Sequence, residues 1–121
     1  MRMKEAAFYN GKVGEASGMC VPFLERTNFF GDAVYDVTYA LDYGLFAIGE
    51  HVERLFAGGR RVGIEPPLAR CELIEQVRKV VRMCDTGDLM VYMQFSGGAG
   101  RREPVRRTEA GVWIYCFPKK I

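Results

Sequence analysis

The alternation of apolar and polar positions is clearest over residues 34–43, "VYDVTYALDY". Here Tyr35, Val37, Tyr39 and Leu41 fall on one face and Val34, Asp36, Thr38 and Ala40 on the other. A period of two belongs to a pleated strand, so this segment is expected to be extended. Upstream, "AAFYNGKVGEA" sets Asn10-Gly11 between two short arms, a pair that favours the two positive φ values of a tight hairpin turn. Downstream, Gly44 is expected to turn the chain and "LFAIG" to return as a second short strand. From Glu50 the period becomes helical: Val52, Leu55, Phe56 and Val62 gather on one side, with Gly58 and Gly59 inside the run. Each glycine weakens a helix by about 1 kcal/mol relative to alanine, so close packing against another element is the expected reason for the pair. Pro66-Pro67 separates this helix from a second, "LARCELIEQVRKVVRMC", with apolar positions Ile74, Val77, Val81 and Cys84. "DLMVYMQFS" and "GVWIYCF" then alternate as strands on either side of a glycine- and arginine-rich loop, "GGAGRREPVRR". Hairpin, two strands, two helices and two strands make an α+β domain, an antiparallel sheet with two helices packed on it.

Composition narrows what such a domain can do. At 121 residues and 49% hydrophobic, the chain holds one core rather than two. A net charge of +2 is too small for a protein whose main partner is a nucleic-acid backbone, so any anion site must be local. Cys20, Cys71, Cys84 and Cys116 stand far apart with one histidine, His51, which argues against zinc or any other metal and for reduced, partly buried thiols in a cytoplasmic protein. No run is long enough to span a bilayer, and "MRMKEAAFYN" lacks the apolar stretch of a signal peptide.

Candidate chemistry gathers at two places. Arg54 lies three residues after His51 and seven before Arg61, so the three side chains share roughly one flank of the first helix. That flank is either simply solvated or presents a fork of N–H donors to a phosphate or carboxylate. His51 without a nucleophilic serine or cysteine makes no triad and reads as structural or capping, while Tyr35 in its strand reads as core. The loop with Arg101, Arg102, Arg106 and Arg107 is either a mobile connection or a cover for an anion; it is not a phosphate loop, because no Gly-Lys-Ser/Thr follows. It also lacks the interleaved aromatics on which RNA bases stack.

These signals occur in a familiar order. Glu25-Arg26, then "FGDAVYDV" from Phe30, then "EHVERL" from Glu50, resemble the N-terminal small domain of class IV (fold type IV) pyridoxal-phosphate aminotransferases, the D-amino-acid transaminase group above all. The resemblance runs from the Asn10-Gly11 hairpin to the strand ending near Phe117. It implies pyridoxal 5'-phosphate as cofactor, an amino acid and a 2-oxo acid as substrates, and a cytoplasmic homodimer that binds neither nucleic acid nor membrane. It assigns Arg54 to the cofactor phosphate, Tyr35 and Val37 to the substrate side, and Arg102, more loosely, to the substrate carboxylate. The Schiff-base lysine of the family is expected in a large domain beyond residue 121; Lys119 and Lys120 come too early to be it, so residues 1–121 alone are expected to be inactive. Two departures stand out. Ala33 replaces a usual glycine, and Glu103-Pro104 stands where D-amino-acid transaminases commonly place a histidine. Branched-chain aminotransferase, aminodeoxychorismate lyase and a non-catalytic domain of the same fold are the alternatives the resemblance leaves.

Overall fold

The computed structural model describes residues 2–100 and 108–119. The expected hairpin is β1 (Ala6–Tyr9) and β2 (Lys12–Glu15), turned through Asn10 at φ 46° and Gly11 at φ 93°. A 3-10 turn (Ala16–Gly18) and a four-residue helix, α1 (Thr27–Phe30), follow, the latter too short to show a period in the sequence. The alternating segment is β3 (Ala33–Leu41).

The next turn differs from expectation. The positive φ values sit at Asp42 (48°) and Tyr43 (68°), while Gly44 already begins β4 (Gly44–Leu45). A bulky residue tolerates the left-handed region only when its surroundings enforce it. Here Tyr43 N–H donates to the Gly87 carbonyl at 2.9 Å, its hydroxyl donates to the Cys84 carbonyl at 2.9 Å, and Asp42 N–H donates to Asp88 Oδ1 at 2.9 Å. "LFAIG" therefore yields only a two-residue strand, and α2 (Ile48–Arg61) starts two residues before Glu50.

The second helix, α3 (Arg70–Arg82), has the Glu72 carboxylate accepting the Ala69 N–H at 2.8 Å, which satisfies one of the free amides at its start. Its buried stripe is Leu73, Val77, Val80 and Val81; of the expected positions Val77, Val81 and Cys84 are buried, and Ile74 is half-buried. β5 (Leu89–Ser96) and β6 (Gly111–Pro118) complete one six-stranded antiparallel sheet in the order β2-β1-β6-β5-β3-β4. The last two strands thus insert between the first hairpin and β3.

Both long helices cover one face, α2 over β3 and β5, and α3 over β1 and β6. Leu55, Ile64, Leu73, Val91, Met93, Phe95 and Ile114 fill the space between, all buried. Gly59 meets the expectation of close approach: a Cβ there would lie 2.9 Å from the Ile64 carbonyl oxygen. The opposite face carries Tyr35, Val37, Tyr92, Gln94, Trp113 and Tyr115, away from α2 and α3. All four cysteines are free, Cys84 and Cys116 buried and Cys20 and Cys71 exposed. No helix of the described residues is long and apolar enough to cross a membrane.

Candidate functional site

Strand alternation puts Asp36 on the helix-covered face, where a carboxylate is costly unless its oxygens are met by donors. They are met. Arg54 Nε donates to Oδ2 at 2.6 Å, Arg54 Nη2 donates to Oδ1 at 3.0 Å, and His51 Nδ1 lies 2.7 Å from Oδ1. An ionised carboxylate only accepts, so the His51 proton belongs on Nδ1. Burial by itself would push the Asp36 carboxyl up, but the Arg54 and His51 donors outweigh burial and hold it below the usual carboxylate range. The one-turn spacing of His51 and Arg54 on α2 is what aims both at the same strand residue.

The cation is not buried with its partner. The Arg54 side chain is 69% exposed against 5% for Asp36, so the guanidinium spends two N–H groups inward and keeps the others toward solvent. Arg54 thus presents part of its N–H fork to a carboxylate, the second reading of the flank, and His51 is held by the same carboxylate.

Tyr35 and Val37 flank Asp36 in β3 but point to the opposite face. Tyr35 is 64% exposed, which corrects its reading as core; its ring stacks on Tyr92 at 5.3 Å. The Tyr92 hydroxyl donates to Gln94 Oε1 at 2.5 Å, and burial, then the neighbouring Tyr35, push it up. On the same face a cleft of about 520 Å³ opens beside Tyr92, Gln94, Trp113 and Tyr115 under Met19 and Val21. β4 pairs only with Ala40 and Leu41, which leaves residues 33–37 of β3 as a sheet edge. Arg54 and Tyr35 therefore do not touch; they stand on opposite faces of one open edge.

Arg102 lies outside the described residues, but both stems of its loop are fixed. Arg26 N–H donates to the Gly98 carbonyl at 2.8 Å, Gly97 N–H to the Asp32 carbonyl at 2.8 Å, and Gly100 N–H to the Leu24 carbonyl at 3.2 Å. The Thr108 hydroxyl donates to the Gly97 carbonyl. Gly98 has φ 88°, and a Cβ on it would sit 1.8 Å from the Glu109 carbonyl oxygen, so only glycine fits. Below these stems Glu25 is fully buried and accepts the Tyr9 hydroxyl at 2.5 Å; burial, followed by that bond, pushes the Tyr9 hydroxyl far up. Arg26 Nε donates to Asp32 Oδ2 at 2.8 Å. Sequence reasoning missed Asp36 and Asp32 as partners of the two arginines. The signal for Asp36 was present, since it is a lone acid on the strand face opposite the aromatic one.

The chain is similar to the small-domain region of class IV, fold type IV, aminotransferases, in sequence to D-alanine aminotransferases and in fold to branched-chain aminotransferases. The D-alanine aminotransferase of Bacillus licheniformis is 31% identical over 114 residues, which cover 91% of this chain and 40% of that protein. In fold, the chain matches the branched-chain amino acid aminotransferase of Escherichia coli at a TM-score of 0.82 and 20% identity, over 96% of this chain and 41% of that one. It matches the branched-chain aminotransferase of Thermoproteus uzoniensis with norvaline at 0.81 and 23%, over 93% and 40%. A third structure of this fold, a branched-chain amino acid aminotransferase with pyridoxamine 5'-phosphate, matches at 0.84 and 20%, over 96% and 40%. No family model matches the chain. The chain spans about 40% of the length of the relatives it matches.

Proposed function

We propose that in the intact protein residues 1–121 form the small domain of a pyridoxal-phosphate-dependent aminotransferase and supply its phosphate grip and one substrate wall. The observation that carries this is the Arg54 guanidinium, anchored from below by buried Asp36 and open to solvent at the sheet edge. Guanidinium N–H groups in a fixed plane match a phosphate dianion, so the residues present fit the cofactor's phosphate. When bound, pyridoxal 5'-phosphate supplies the electron sink for breaking bonds at the amino-acid Cα. The chain's own residues hold and orient: Arg54 takes the phosphate, while Tyr35 and Val37 wall the substrate from the opposite face. Arg102 is the proposed partner of the substrate carboxylate.

The substrates are an amino acid and a 2-oxo acid, with the D-amino-acid type favoured over the branched-chain type by the 31% identity to a D-alanine aminotransferase. The weak net charge supports small-molecule partners rather than nucleic acid, in a cytoplasmic homodimer. The test is Arg54→Ala in the intact protein. Cofactor affinity, read by absorbance titration, should fall by about ten- to a hundredfold, as expected for loss of a charge-assisted hydrogen bond. Equal affinity in mutant and wild type would contradict the assignment.

A further inference from the structure

Arg54 reaches solvent on a long, flexible stem, and such a side chain loses rotamer freedom whenever it is held to a ligand. Here that ordering is already made by the fold. Asp36 takes Nε at 2.6 Å and Nη2 at 3.0 Å, two contacts that fix the guanidinium plane rather than only its position. The carboxylate is itself fixed, because it is buried on β3 and His51 Nδ1 meets Oδ1 at 2.7 Å. Two of the five N–H groups go to Asp36 and Nη2 also lies 3.5 Å from His51 Nδ1, so it is the pair on Nη1 that stays available. We propose that Asp36, braced by His51, is a positioning residue that sets the orientation of Arg54 for the cofactor phosphate; this rests on the reading of Arg54 as the phosphate donor.

The idea makes a prediction of sign. A carboxylate against the guanidinium partly cancels its charge, so if charge alone mattered, removing it would tighten phosphate binding. If pre-set orientation matters more, removing it weakens binding, because a phosphate approaching Nη1 meets the guanidinium well before the carboxylate behind it. The quantity to measure is the affinity for pyridoxal 5'-phosphate divided by that for pyridoxal, which isolates the phosphate. In the intact protein, Asp36→Asn should lower this ratio by about tenfold, and Arg54→Ala should lower it further. If Arg54→Ala leaves the ratio unchanged, the phosphate reading of Arg54 fails and this inference fails with it. If Arg54→Ala lowers it while Asp36→Asn leaves or raises it, the positioning role alone is overturned. Should Asp36→Asn not fold, the wild-type protein decides by nitrogen-15 NMR. The Arg54 Nε–H should exchange with water at least about tenfold more slowly than that of exposed Arg78; equal rates overturn the proposal.

Discussion

Arg26 and Arg54 each donate Nε to an aspartate, at 2.8 and 2.6 Å, yet they do opposite things. The Arg26 side chain is 6% exposed and its partner Asp32 13%, so that pair lies inside the clamp that holds the loop stems. Arg26 also stacks its guanidinium over the Phe30 ring at 4.4 Å. At the other site only the acid is buried, and the cation stands 69% in solvent. The difference teaches that an arginine–carboxylate contact is not in itself a structural or a functional feature. Which partner is buried decides, because a buried cation has its donors committed and an exposed one keeps some to offer.

The largest expected effect is on stability. Arg26→Met removes a donor from a nearly buried carboxylate and should cost about 3 kcal/mol or more in urea unfolding, a large share of a small domain's stability. Arg54→Ala takes two donors from Asp36, which is at least as buried as Asp32, and should also lower the unfolding midpoint, but it alone should weaken phosphate binding; an equal loss of phosphate binding in Arg26→Met would erase the distinction drawn here. A smaller effect tests the platform under Arg54. Gly59→Ala drives a Cβ to 2.9 Å from the Ile64 carbonyl and should destabilise by about 1–3 kcal/mol, while at Gly58 the nearest atom is 3.9 Å away. Gly58→Ala should therefore stabilise, by up to about 1 kcal/mol, in the same thermal or urea measurement.

The smallest effect is in acid. The Asp36 carboxyl is held below its unfolded value of about 3.9, so its ion pair contributes stability at pH values above that. The contribution is lost as pH falls through the lower folded value. Unfolding free energies of wild type and Asp36→Asn should accordingly converge as pH drops below about 4, and a constant gap down to pH 2 would contradict the assigned shift.

Much of this fold was legible in local periods. The strand over residues 34–41, the Asn10-Gly11 turn and the Val52, Leu55 and Phe56 stripe of α2 follow from side-chain direction and turn chemistry, both set by neighbours within a few residues, whereas Val62, expected on that stripe, lies past the helix end and is exposed. The turn at Asp42 and Tyr43 was not legible, since its positive φ values are held by Gly87 and Asp88, far along the chain. In α3, Val77, Val81 and Cys84 are buried as expected, but Leu73 rather than Ile74 begins the stripe, because both lie close on the helix and only docking against β1 and β6 selects between them. For the site, the spacing of His51 and Arg54 pointed to the cationic flank, and the order of motifs to the likeness with class IV aminotransferases. The exposed position of Tyr35 was missed because period two separates the faces of a strand without saying which one a helix will cover.

The elements and their amphipathic faces are written in the order of amino acids, since each depends on backbone geometry repeated over short spans. Only the tertiary structure decided which arginine stays available. Arg26 is sunk by Gly98 and Asp32, and Arg54 is held at its base by a strand residue and left open at its tip. Burial is a property of segments that meet from distant parts of the chain, and no local period encodes it.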